Sequence, residues 1–178
     1  MTYLEILKFW FEETTPAQRF KKDPGFDSMI KKRFEQTYWD ILEGRTKNWR
    51  STPEGRLAEI VVLDQFARNI FRDDAQAFAG DALALSLAGE AIAVGDDLKV
   101  SQEQRVFFYM PYMHSESAEV HNKALEIFKQ YGNAANLDYE VKHKAIIDAF
   151  GRYPHRNKAL GRTSTPEETK WLEAGGGF

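Results

Sequence analysis

Residues 61–72 read Val61-Val62-Leu63-Asp64-Gln65-Phe66-Ala67-Arg68-Asn69-Ile70-Phe71-Arg72. Their apolar members, extended backward by Leu57 and Ile60, surround a helix nearly all the way round, and such a helix belongs in the interior. Asp64, Gln65, Arg68, Asn69 and Arg72 then make one narrow polar stripe, because side chains four apart share a helical face. A charge taken out of water must be paired, or its cost runs to several kcal/mol. The stripe therefore marks either an internal ion-pair network or a site.

A second copy of the pattern lies further along: Ala145-Ile146-Ile147-Asp148-Ala149-Phe150-Gly151-Arg152-Tyr153-Pro154-His155-Arg156. Both copies carry Asp-x-Phe-x-Arg-x-x-x-Arg behind an aliphatic triplet. Together they supply Arg68, Arg72, Arg152 and Arg156 against Asp64 and Asp148, a surplus of positive charge. Bidentate guanidinium contacts suit a carboxylate or a phosphate. Asp64 and Asp148 would orient Arg68 and Arg152 in such a site. The first copy reads as one unbroken helix. Pro154 makes the second a helix end near Arg152 followed by a turn.

The remaining punctuation is helical. Tyr3, Leu7, Trp10 and Phe11 form one stripe, and Thr15-Pro16-Ala17-Gln18 is a capping signal for a short turn before Asp23-Pro24-Gly25. Ile30, Phe34, Tyr38, Ile41 and Leu42 mark a long helix closed by Gly44, and Thr52-Pro53-Glu54 opens the next. An Ala- and Leu-rich segment covers Gly80 to Val94. Pro111 kinks or ends the helix that begins at Ser101. Val120, Ala124, Ile127, Phe128 and Tyr131 form a clean stripe stopped at Gly132-Asn133, and Thr165-Pro166-Glu167-Glu168 is a capping box ahead of a loose glycine tail. No segment shows sustained period-two alternation. The expectation is a single all-α domain over residues 1–178, built of antiparallel helix pairs with tetratricopeptide-like curvature.

Composition is globular, with 29% charged and 43% hydrophobic residues in 178. A net charge of −3 gives no basic footprint for nucleic acid. Zero cysteines exclude disulfides and thiolate chemistry and fit a cytoplasmic protein. The apolar N-terminal stretch is too short to span a bilayer and has no cleavage site, so no membrane association is expected.

The histidines all fall between His114 and His155. His114-Ser115-Glu116 follows the Pro111 break, and His155 follows Pro154; either imidazole could serve as a general base. The spacing matches no metal signature, so no metal and no cofactor is expected. Ser115 or Ser117 suits a helix cap. His143, between Lys142 and Lys144, reads as solvated. No nucleophile elbow, phosphate loop or dinucleotide fingerprint is present, and no catalytic signature makes the chain an enzyme.

Asp64 to Arg72, Tyr109-Met110-Pro111-Tyr112-Met113-His114-Ser115-Glu116 and Phe150-Gly151-Arg152-Tyr153-Pro154-His155-Arg156-Asn157 resemble the bacterial and fungal family called domain of unknown function 924. Leu160 to Glu168 and Ile6-Leu7-Lys8-Phe9-Trp10-Phe11 extend the likeness over nearly the whole chain. The resemblance implies an all-α, tetratricopeptide-like superhelix, no assigned activity, and shared motifs at the stripe and the two turns. The expected ligand-binding set is Asp64, Gln65, Arg68, Asn69, Arg72, Glu116, Asp148, Arg152, Arg156 and Asn157, with His114 and His155 as proton-transfer candidates. It would take a small anion. The alternative is a helical scaffold holding a peptide in a groove, with the Asp/Arg network purely structural.

Overall fold

The computed structural model describes residues 1–177; Phe178, the last residue of the expected domain, lies outside the described residues. Every regular element among the described residues is helical. The chain forms two compact units, one of residues 1–72 and 76–111, the other of residues 73–75 and 112–177.

In the first unit, α1 (Tyr3–Lys8) starts on a Thr2 capping box and continues as a π-helical turn, Phe9–Glu13. The short α2 (Pro16–Phe20) is opened by the Thr15–Gln18 capping box, as its Thr-Pro sequence predicts. The long α3 (Pro24–Leu42) begins at Asp23, whose carboxylate accepts from the amides of Gly25 and Phe26. The apolar segment quoted above begins as α4 (Pro53–Val61), passes through a π-helical turn (Val62–Phe66) and finishes as α5 (Ala67–Ile70). Leu57, Ile60, Val61, Val62, Leu63, Phe66 and Ala67 are all fully buried. Phe66 is the hub: its ring meets Phe9 at 5.7 Å, Trp10 at 5.2 Å and Phe34 at 4.8 Å, in tilted or edge-on arrangements. Then come α6 (Asp81–Ala93) and α7 (Gln102–Met113), which runs two residues beyond Pro111 before it stops.

The second unit is built on α8 (Ala118–Tyr131) and α9 (Ala134–Phe150), joined by Gly132 and Asn133. So short a connection between two packed helices makes them an antiparallel pair. Ser117 caps α8 by accepting from the Val120 amide. Asn133 and Asn136 form a reciprocal capping box for α9, which starts earlier than the apolar pattern shows. Gly151 ends α9 in the left-handed region (φ 69°), a conformation that glycine adopts without penalty. A one-turn 3-10 segment, Pro154–Arg156, leads toward α10 (Pro166–Glu173). Ile146, Ile147 and Tyr153 form the core here, with Phe150 and Trp171 against it. The terminal glycines are not loose. The Gly176 amide donates to the Trp171 carbonyl at 3.0 Å, and a Cβ on Gly176 would lie 2.3 Å from the indole ring, so no larger residue fits.

Candidate functional site

The first motif copy is a lattice of closed ion pairs. Asp64 sits on the π-helical turn and is 1% exposed. Arg68 donates to the Asp64 backbone carbonyl at 2.6 Å, with the Asp64 carboxylate 3.6 Å away. Its guanidinium is then gripped by both oxygens of Asp81, each at 3.0 Å. The Gln65 amide donates to Asp64 at 2.6 Å. Arg72 lies past the last residue of α5, so the first copy is not one uninterrupted helix. Its guanidinium takes Asp27 on α3 bidentately, at 2.5 and 2.7 Å, and Asn69 donates to the same carboxylate at 2.8 Å. Burial alone would raise the Asp27 pKa, but the bonds from Arg72 and Asn69 outweigh it and hold the carboxyl below its ordinary range. The positive surplus counted within the motifs is thus answered by Asp27 and Asp81, which lie outside them.

The second copy closes differently. Asp148 does not orient Arg152: it lies on the exposed side of α9 and pairs with Lys144 at 2.6 Å. Arg152 is held instead by both oxygens of the buried Glu168, at 2.6 and 2.8 Å. The Arg152 guanidinium, opposed by burial and helped by the Thr165 amide, draws the Glu168 carboxyl down to about 2. Asn157, also buried, donates to Glu168 and Ser164 and accepts from Arg162. Glu116 receives Arg162 at 2.7 and 3.0 Å and the Tyr153 amide at 2.8 Å. Burial pushes the Glu116 pKa up, yet these donors keep it lowered. Arg162 had no place in the sequence pattern; its only signal was its position in the Leu160–Glu168 segment.

What remains is a cluster of imidazoles around Tyr153, all within the second unit. His155 stacks at 5.3 Å from the Tyr153 ring, His143 at 5.8 Å and His121 at 6.3 Å, while His114 lies 6.2 Å from His143. The buried Arg156 guanidinium covers the Tyr153 ring at 4.6 Å and donates to the His114 carbonyl at 2.9 Å. All four histidines of the chain are in this group. His143 is 8% exposed rather than solvated, because its position on α9 faces α8 and the Tyr153 turn instead of following its lysine neighbours outward. Its Nδ1 donates to the Tyr139 carbonyl at 2.7 Å. Burial, and then the neighbouring His114, push the His143 pKa down to about 3, so its ring is neutral at physiological pH.

His121 and Glu140 are both fully buried, with Nδ1 and Oε1 2.7 Å apart. His121 Nε2 lies 2.8 Å from the Ser115 carbonyl and 3.1 Å from the Tyr153 hydroxyl, which itself donates to the Met113 carbonyl at 2.6 Å. Of the expected site residues, the structure thus gathers Gln65 and Arg68 on Asp64, with Arg68 also on Asp81, and Asn69 and Arg72 on Asp27. It gathers His155 and Arg156 on Tyr153, with His114 held to Arg156 through its carbonyl, and Arg152 and Asn157 on Glu168. No three His, Asp or Glu side chains among the described residues are placed to hold a metal ion. No helix among them is long and apolar enough to cross a membrane.

Residues 6–176 match the family model described as bacterial protein of unknown function DUF924. The chain belongs to this family. Its fold is also that of a protein of unknown function, ATU0120, from Agrobacterium tumefaciens, with a TM-score of 0.91, 37% sequence identity and 97% of each chain covered. No curated protein matches the chain. The His-Ser-Glu and Pro-His-Arg-Asn turns of this DUF924 protein are the segments that meet at Tyr153.

Proposed function

We propose that this DUF924 protein binds a small anion, a carboxylate or a phosphate, at the histidine cluster of its second unit, and that the arginine stripe of its first unit is framework. The carrying observation is the gathering of His121, His143, His155 and Arg156 around one tyrosine ring, with His114 beside His143. Imidazoles and a guanidinium are crowded together there, and burial, then the neighbouring His114, depress the His143 pKa. An anion would relieve that crowding, since opposite charge nearby favours the protonated imidazole. His114 and the exposed His155 would contact it, and Arg156 would position the His114 turn through the carbonyl it already holds. The closed bidentate pairs at Arg68, Arg72 and Arg152 need no ligand to make their burial tolerable. A cytoplasmic setting and a tetratricopeptide-like superhelix are part of the same reading.

The test is a thermal-shift and calorimetric titration with inorganic phosphate and with succinate, on the wild type and on His114→Ala and His155→Ala. A ligand at a hundred times its Kd stabilises by about 2.7 kcal/mol, which is readily seen. Either anion should raise the wild-type melting temperature, and both variants should lose most of that shift. Absence of any shift, or a shift that both variants keep, would refute the site. The competing scaffold reading, a helical groove holding a peptide, expects that null result.

A further inference from the structure

The buried pair His121–Glu140 has a hydrogen count that its surroundings dictate. The Ser115 carbonyl can only accept, so His121 Nε2, 2.8 Å away, must carry a hydrogen. The Tyr153 hydroxyl has spent its own hydrogen on the Met113 carbonyl, so it too can only accept from that nitrogen. A further proton must then lie between Nδ1 and Oε1, because a 2.7 Å contact between a bare nitrogen and a carboxylate would set two lone pairs against each other. Two forms satisfy this: an imidazolium–carboxylate ion pair, or a neutral imidazole accepting from a carboxylic acid.

The far oxygen decides between them. Glu140 Oε2 is buried and has no hydrogen-bond partner. A buried ion pair is tolerable only when its remaining lone pairs are satisfied, whereas the carbonyl oxygen of a neutral acid asks much less. We propose that Glu140 is a neutral carboxylic acid donating to His121, and that this proton is a latch holding the Ser115 and Tyr153 turns in the geometry that the anion site needs. The inference rests on the anion-binding reading and adds regulation to it.

Loss of the proton to solvent leaves no satisfactory arrangement. If Nε2 keeps its hydrogen, Nδ1 faces a carboxylate. If the hydrogen moves to Nδ1, the Ser115 carbonyl loses its donor, and Tyr153 must abandon Met113 to reach Nε2. Either way the turn that carries His114 and Glu116 is released, and so is the one that carries His155 and Arg156. The groups facing the pair are His114 and Ser115 from the turn after α7, Lys144 and His143 along α9, and Tyr153 from the turn after α9. Burial is the dominant influence on Glu140 and raises its pKa, against His121, His114 and Lys144, which favour the charged form. An acid raised in the folded state keeps its latch at low pH and loses it as pH rises through the folded value.

Imidazole nitrogen NMR on the wild-type chain tests this. At pH 6, His121 should show a protonated Nε2 and a bare Nδ1. On raising the pH, the amides of residues 115–121 should lose exchange protection together, beyond the intrinsic rise in exchange rate. Glu140→Gln keeps a donor toward Nδ1 but has no proton to release; it should hold the same tautomer and stay protected over that range. Both nitrogens of His121 protonated at pH 6, or loss of protection unchanged in the glutamine variant, would overturn the latch. If that variant does not fold, the wild-type nitrogen signals decide alone. Failure of the anion reading would look different: phosphate would shift no resonance while the His121 signature stood.

Discussion

The two copies of Asp-x-Phe-x-Arg-x-x-x-Arg differ in where they place their last arginine. In the first, each guanidinium is clasped by a carboxylate from another helix: Arg68 by Asp81, and Arg72 by Asp27. In the second, Arg152 is clasped likewise by Glu168, but Arg156 lies on the Tyr153 ring and a backbone carbonyl, among imidazoles. Bidentate closure fixes a framework and leaves it little to do with a ligand. The imidazoles around Tyr153 are instead where the proposed anion site lies. Identical spacing in sequence therefore does not mean identical work.

The largest expected effect breaks the first region. Asp27→Ala removes the carboxylate that Arg72 and Asn69 share and should cost about 2–3 kcal/mol in urea denaturation. The double change Asp27→Leu with Arg72→Met should restore most of it, because an apolar pair of similar volume replaces an ion pair at little net cost. Phosphate binding should survive both. Loss of binding there would move the site back to the stripe.

Next in size is a change in pH dependence. The folded His143 stays neutral down to about 3, while the unfolded ring protonates near 6.5. Stability from this group is therefore lost as pH falls below 6.5, and His143→Phe should remove that loss, a difference of about 1 kcal/mol per pH unit. Burial raises the Glu140 pKa, but folded His121 and Glu140 share one proton, the number that an unfolded imidazolium and carboxylate hold between about 4.5 and 6.5, so the pair adds no slope in that window. The phenylalanine variant should therefore lose the acid-side decline of the wild type below about pH 6.5, and a decline unchanged in it would contradict the buried neutral His143.

The smallest effect sharpens the contrast within the second copy. Asp148→Ala removes only an exposed i,i+4 pair with Lys144 and should cost less than about 0.5 kcal/mol, with anion binding unchanged. A large loss of binding would reinstate Asp148 as an orienting group.

The burial of residues 57–70 is legible because apolar side chains lie nearly all the way round the segment, whereas its end at Ile70, short of Arg72, is not. The caps at Thr15, Thr52 and Thr165 are equally plain, being local hydrogen-bond chemistry. Partner choice is not legible in the same way. Nothing near Arg72 in sequence points to Asp27, and nothing near Arg152 singles out Glu168 over Asp148, since those pairings are made by tertiary packing. The π-helical turn at Val62–Phe66 is invisible to a pattern counted at 3.6 residues per turn. The burial of His143 is hidden from the sequence for the same kind of reason. Flanking lysines describe adjacent positions on a helix, which point away from it, not the face it shares with Ile146 and Ile147.

The most direct measurement is a single NMR titration with phosphate that follows the imidazole and guanidinium resonances of one sample. His114 and His155 should move together and saturate, with Arg156 following, while Arg68 and Arg72 stay still. Movement of Arg68 and Arg72 with stationary histidines, or no saturable movement of any, would contradict the assignment of binding to the histidine cluster.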